Sequence, residues 1–410
     1  MSVRALYRAT NGTLYAVNDS RLFSLDANLA ATLVGTLLTT TGPVSFADNG
    51  VTALVVDGSA YGYTIVLTGN AFAYVSDTAF YGADRVDILD GFFVLNRPGT
   101  SQFYLSRNGD VTFDPLYIAA KLGLDRLISL AVVRRELWLL GENRTEIYTD
   151  TGAADFPLQV VSGGIDHGCA ACHSVRCVDG NVLWLSRDRD GQAIVLQGTG
   201  YNAKRISTHA IETVFQSYSR IDDAVAYTYQ IRGHTIYALG FPTAGHTWCY
   251  DLATDLWHEW QTAGGRHRAQ CHAAAFGRNI VGDFQSGAIY ALEASTYTDD
   301  TGPIQRIRSF PHMVRNAQRV FYSTFIADME AGTIAAGQPE PFVTLRYSDD
   351  RGATYAGQVQ QSLGTTGATR TSVQFQRLGM ARDRVFELSW NAPMATALTG
   401  AFVQTRVAGS

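Results

Sequence analysis

One short phrase returns along most of this chain: a strand carrying an aromatic or aliphatic pair, a polar turn, and a second strand. It begins as GTLYAVNDSRLFSLD at Gly12, GYTIVLTGNAFAYVSD at Gly62 and DGFFVLNRPGTSQFYLS at Asp90. It continues as RELWLLGENRTEIYTDTG at Arg135, GNVLWLSRDRDGQAIVLQG at Gly180, GHTIYALGFPTAGHTWCYD at Gly233 and GRNIVGDFQSGAIYALE at Gly277. Runs rich in Val, Ile, Tyr, Phe and Trp between Gly, Asn and Asp turns are the pattern of hairpins. Several starts lie roughly 45 residues apart, the repeat length of a four-stranded propeller blade. One blade cannot bury both its faces, so neighbours must stack radially about a channel. The expectation is an all-β chain, with a β-propeller of six or seven blades over residues 1–296. Helical periodicity is scarce; Pro115–Val132 (PLYIAAKLGLDRLISLAV) is the one good candidate, as a helix or as a short helix leading into a strand.

After YTDDTGP (Tyr297–Pro303) the character changes. The phrases RVFYSTFIADME, PFVTLRYSDD, TSVQFQRLG and DRVFELSWNA read as longer strands. They predict a smaller C-terminal β annex, sandwich-like, over residues 303–410. Within it, Ser348-Asp349-Asp350-Arg351-Gly352-Ala353-Thr354-Tyr355 matches the Asp-box, S-x-D-x-G-x-T followed by an aromatic. Asp350 is placed to accept turn N–H groups, Gly352 to supply a positive φ, and Tyr355 to cover the hairpin. All three read as structural.

Three of the five cysteines fall in DHGCAACHSVRC, Asp166–Cys177, where Cys169-Ala-Ala-Cys172-His173 has the C-x-x-C-H spacing of a c-type haem attachment. If Cys169–Val178 is extended, side chains alternate faces, and Cys169 and Cys172 point opposite ways. They then share neither a metal nor a porphyrin. A helix would bring them together at i, i+3, but CHSVRCV is a poor helix. A zinc site needs a second pair of ligands, and Cys271-His272 is the one further candidate, with nothing to place it close. The favoured reading is small thiols buried in a strand, with no cofactor and no metal.

Other searches return little. The sequence lacks G-x-x-x-x-G-K-[ST], H-E-x-x-H and G-x-S-x-G. Asp222-Asp223 and Asp299-Asp300 could suggest glycosidase chemistry, yet adjacent acids in turns usually serve the turn. TWCYDLATDLWHEW could be a stacking platform for sugars or bases; blade packing by Trp248, Tyr250 and Trp257 is the simpler account. A formal charge of −5 excludes a strongly cationic nucleic-acid wrapper. The start lacks a basic segment followed by an apolar one, and no uncharged run suits a bilayer. The chain reads as soluble and made in a reducing cytoplasm.

The central phrases have a specific order. LWLLGENRTEIYTDTG (Leu137–Gly152) is followed by FPLQ and GGIDHGCAACHSV, then VLWLSRDRDG (Val182–Gly191) and GYNAKRISTHAIE (Gly200–Glu212). YSRIDDAVAYTYQIRGHTIYALGFP (Tyr218–Pro242) and TWCYDLATDLWHEW (Thr247–Trp260) complete the series. This succession resembles the phage stabilisation family, the packaged-DNA stabilisation or tail hub proteins of short-tailed bacteriophages. In that family G-H before a strand, R-I-S-T-x-A-I-E and T-W-x-Y-D-x-x-T-x-x-W recur in the same order. The first hundred residues and the tail after Pro303 match only loosely.

The resemblance implies a structural virion protein of the phage tail, made in the host cytoplasm, and not an enzyme. It implies a hub below the portal and adaptor ring that helps retain packaged DNA and carries tail fibres or tailspikes and a needle. Six copies in a ring would enclose the DNA channel without sequence-specific DNA binding, and no membrane is involved. The alternative is a propeller-fold carbohydrate-active enzyme or lectin-like binding module.

Overall fold

The computed structural model describes residues 2–407 except 154, 162–163, 317, 332–339 and 365–369. It divides into two compact units, Met1–Leu292 and Glu293–Ser410.

Among the described residues, the first unit is built of six four-stranded sheets, one three-stranded sheet and a small hairpin. Each large sheet is an antiparallel meander of consecutive strands. Blade 1 runs from Val3–Arg8 to Ala31–Thr36 and blade 2 from Ser45–Asp48 to Ala71–Tyr74. Blade 3 runs from Val86–Leu89 to Phe113–Ala120 and blade 4 from Leu127–Val133 to Leu158–Val160. Blade 5 runs from Arg176–Val178 to Asn202–Arg205 and blade 6 from Val225–Ile231 to Leu256–Glu259. Blade 7 has only Ala269–Ala275, Arg278–Asp283 and Ile289–Leu292.

Turn chemistry explains why these hairpins form. Between the first two strands of blades 3 and 5, Asp90-Gly91 and Asp179-Gly180 have φ of 48° and 93°, and of 49° and 72°. Two successive positive φ angles make the tight turn whose twist suits antiparallel strands, and Asp-Gly tolerates it best. Further out, Asp251 holds its turn by accepting from Ala253 N at 3.0 Å and Thr254 Oγ1 at 2.8 Å. Asp283 does the same with Gln285 N and Ser286 Oγ.

Packing between sheets closes the ring. Second strands such as Glu136–Gly141 are buried over nearly their whole length, because each blade is covered on both faces. One apolar cluster fills each gap between successive blades, from blades 1 and 2 through blades 6 and 7. A seventh cluster joins blade 7 to blade 1 through Val3, Leu6, Leu14, Ala273, Ala275 and Ile280. Among the described residues, no strand is exchanged at this seam. Instead Gln270 Nε2 donates to Ser2 Oγ and Val3 O at 2.8 and 2.7 Å. Nearby, the buried Arg4 ties down the link from blade 1 to blade 2, donating to the carbonyls of Asp19, Thr39, Thr41 and Gly42.

Two expectations about local structure are corrected. Pro115–Val132 is not helical; it contributes to the strands Phe113–Ala120 and Leu127–Val133. Its leucines suggested a helical period, but Leu116, Leu122 and Leu124 are 78%, 71% and 97% exposed and mark no buried face. Pro115 lies on the outermost strand of its blade, where its missing N–H costs no ladder bond. Among the described residues, the α-helix is His209–Gln216, between blades 5 and 6, with Ile211 and Phe215 packed into their shared cluster. Nor is Cys169–Val178 one strand: a 3₁₀ turn at Cys172–Ser174 precedes the strand Arg176–Val178.

The second unit is a β-sandwich. One sheet orders Arg306–Ser309, Asp383–Trp390, Phe342–Ser348 and Ala356–Ser362. The other is built on the long strand Val320–Ala331, flanked by Arg370–Gln376 and Thr396–Val407. Tyr322, Phe325, Ala327 and Met329 from the second sheet meet Val343, Leu345, Phe386 and Leu388 from the first. Alternating burial along Val320–Ala331 is what a two-layer sandwich requires.

Candidate functional site

The Asp-box forms the hairpin between Phe342–Ser348 and Ala356–Ser362. Asp350 accepts from Ser348 Oγ at 2.6 Å, Thr354 N at 2.8 Å and Thr354 Oγ1 at 2.6 Å. Those bonds, Ser348 first and Thr354 next, hold its carboxyl at about 2. Gly352 takes φ of 91° and donates its N–H to Ser348 Oγ at 2.7 Å. Tyr355 is half-buried, with the Arg346 guanidinium 4.5 Å from its ring centre. Both carboxylate oxygens of Asp350 are spent within the turn.

Sequence reasoning passed over Asp349, the neighbour. Its carboxylate pairs with Arg384, which lies between the two sheets with its guanidinium 3.9 Å from the centre of the Tyr347 ring. Arg384 carries no local signal, since its burial depends on a strand 35 residues away.

The aromatic phrase sits on the outer strands of blade 6 and packs toward blade 5. Tyr250 is buried, and its ring centre lies 5.1 Å from that of Trp257, its cross-strand partner. Trp257 Nε1 donates to Ile206 O at 2.8 Å, and Trp248 Nε1 to Tyr218 Oη at 3.0 Å. Phe215 of the helix contacts Trp248 edge-on. These rings fill the gap between two blades, and their polar atoms are already bonded.

The CAACH segment crosses from blade 4 to blade 5. Gly168 O accepts from Trp184 Nε1 at 2.9 Å and Ser186 Oγ at 2.7 Å. A side chain at 168 would meet the Glu142 backbone at 2.1 Å, which is why glycine precedes the first cysteine. Cys169 donates to Ala171 O at 3.1 Å, and burial pushes its thiol up to about 12. Burial pushes the Cys172 thiol up as well. Cys177 and Cys271 rise to about 12 for the same reason. Such thiols stay protonated at neutral pH and are poor ligands and nucleophiles. Among the described residues, no three of His, Cys, Asp and Glu gather as metal ligands. The carboxylates Asp222 and Asp223 serve separate local partners, Arg220 and Thr243. No helix among the described residues is long and apolar enough to cross a membrane.

Comparison with solved structures gives three likenesses among others. The WD40 β-propeller domain of Doa1 shares 11% identity at a TM-score of 0.45, over 72% of this chain and 93% of that one. The N-terminal domain of Nup159 shares 11% at 0.44, over 70% and 87%. The computationally designed Ika8 protein shares 8% at 0.41, over 71% and 95%. No curated protein sequence matches the chain. A family model described as Bacteriophage P22 Gp10, beta-propeller, matches residues 3–297, the whole seven-sheet ring. The chain therefore belongs to this phage stabilisation family of β-propeller proteins.

Proposed function

We propose that this phage structural protein is a tail hub and head-completion factor, a multi-copy component joining the neck of a short-tailed phage to its fibres, spikes or needle. Family membership over residues 3–297 is the observation that carries the reading. A rigid ring, closed by packing at every blade, suits a part that bears load while DNA is held behind it. Its partners would be the portal and adaptor ring, the tail appendages, and further copies of itself in a closed ring of six. A net charge of −5 favours passage of DNA without adhesion. The carbohydrate-acting alternative gains nothing from the Asp-box, whose carboxylate oxygens are committed to the hairpin.

Disrupting the gene tests the proposal. Heads that package DNA but leak it, and that lack fibres or needle, are the expected particles. Infectious particles with retained DNA and normal tails would overturn it.

A further inference from the structure

The sandwich unit lies beyond residues 3–297, so the family match says nothing of what it binds. Its strand Thr396–Val407 is twelve residues long and pairs along one side, with Val320–Ala331. Outside that ladder, its backbone makes no hydrogen bond to other backbone among the described residues. A row of amide and carbonyl groups is therefore left open along the far edge. Open edges recruit further strands, and folds blunt them with brevity, charge or proline. The edge strand of the facing sheet, Arg306–Ser309, is blunted in this way: it has four residues, two of them arginines. Thr396–Val407 is not. From Thr396 to Thr405 it carries neither charge nor proline, and a bulge at Thr399 leaves Gly400–Val407 unbroken.

What lies beneath the edge selects what can pair there. Ala401 and Val403 turn inward against the core, and with Thr405 they line an open groove of about 410 Å³. Its far lip is the segment Phe310–Arg315, and Tyr322 and Phe325 lie at its base. Val314 on that lip is 55% exposed. In a strand laid beside Thr396–Val407, about 4.8 Å away, every second side chain would enter the groove opposite Ala401, Val403 and Thr405. Those side chains have to be apolar, because a polar group there would lose its water without gaining a partner. The intervening ones face solvent. Charge sets one further demand. Arg315 lines the groove and Arg406 follows Thr405, and neither makes an ion pair among the described residues.

We propose that the free edge of Thr396–Val407 and the groove beneath it accept one extended segment of a partner protein, which joins the sheet as an added strand. The segment carries apolar side chains at alternate positions and an acidic residue near Arg315 and Arg406. Backbone hydrogen bonds hold it, and the groove fixes its register. Backbone and alternation are what the site reads, so it tolerates many sequences. A second copy of Thr396–Val407 is the poorer occupant, since that strand has no acid to offer the two arginines. The inference concerns one unit of a single chain and stands apart from the hub reading.

The test titrates the full chain with a short synthetic peptide of alternating valine and threonine that ends in glutamate on both sides. Calorimetry and amide hydrogen exchange are the readouts. One peptide per chain should bind saturably, with new protection of amides in Gly400–Arg406. A peptide of the same composition with its valines in one block should not bind, nor should a fully N-methylated one, and lysine in place of glutamate should weaken binding. Val314→Asp, a charge on the exposed lip, should weaken it about tenfold or more. Phe402→Ser, on the outer face of the same strand, should bind as wild type. Should Val314→Asp fail to fold, Val403→Thr replaces it as the milder change within the groove. Absence of saturable binding, equal binding of the N-methylated peptide, or wild-type affinity in the groove variant overturns the proposal. Sedimentation of the chain alone tests the rival occupant: a dimer abolished by Val314→Asp would assign the edge to a second copy and overturn the partner strand.

Discussion

Asp349 and Arg384 form a two-point ion pair, Oδ1 to Nε at 2.6 Å and Oδ2 to Nη2 at 2.7 Å, in which the arginine side chain is 2% exposed and the carboxylate 45%. The guanidinium also donates to Leu378 O and lies against Tyr322 and Tyr347. Removing the acid strands a buried cation. Breaking a fully buried pair costs roughly 3–5 kcal/mol, and solvent screening of the half-exposed carboxylate reduces this. Asp349→Ala should therefore destabilise the sandwich by about 2–3 kcal/mol. Urea denaturation followed by tryptophan fluorescence measures it, and a variant within about 0.5 kcal/mol of wild type would contradict the assignment.

Asp350, one residue on, should make the sandwich acid-sensitive. Its carboxyl is held at about 2 against an ordinary 3.8, so the folded value is the lower one. A depressed value means the contribution is complete above about pH 4 and is lost as pH falls toward about 2. Asp350→Asn should be less stable than wild type at pH 6, with the gap closing through that window. Parallel denaturation curves from pH 6 to 2 read the difference; a constant gap would refute the linkage.

For the blade 5 and 6 interface, depth ranks the effects. Tyr250 is 2% exposed, and Tyr250→Ala should cost about 3–5 kcal/mol, as large core truncations do. Trp248 is only half-buried, so Trp248→Phe should cost about 1 kcal/mol, the bond to Tyr218 being the main loss. If Trp248→Phe folds normally but abolishes binding to a sugar or protein partner, the packing account fails.

At the CAACH segment, Gly168→Ala forces a Cβ against the Glu142 backbone, and backbone does not yield as a side chain does. Overpacking here should cost about 1–3 kcal/mol. In the same protein, the thiols should react slowly with Ellman's reagent at pH 8 and all five should react after unfolding. A fast native thiol, a Soret band or one zinc per chain would each show that the segment does other chemistry.

Much of this architecture is legible in the strand and turn residues themselves. Asp90-Gly91 and Asp179-Gly180 force tight hairpins whatever surrounds them, because their φ angles suit little else. The Asp-box is equally local: Ser348, Asp350, Gly352 and Thr354 satisfy one another within seven residues. The false helix at Pro115–Val132 shows the limit of periodicity. Leu116, Leu122 and Leu124 lie in solvent there while Leu127 and Leu130 are buried, and which residues are covered depends on the neighbouring blade.

What the sequence alone determined was therefore the recurring hairpins and the family. Backbone preferences and hydrophobic alternation act over a few residues, and the ordered phrases from Leu137 to Trp260 carry the kinship. Tertiary structure decided what long-range burial does to charge. It set Arg384 against Asp349 across two strands, and enclosed Lys121 beside Glu146 and Asp125, one of only two lysines in the chain. It also placed His173 in the 3₁₀ turn Cys172–Ser174, ahead of the first strand of blade 5. An ionic side chain's role depends on what desolvates it and which opposite charge stands within a few ångströms, and residues distant in sequence supply both.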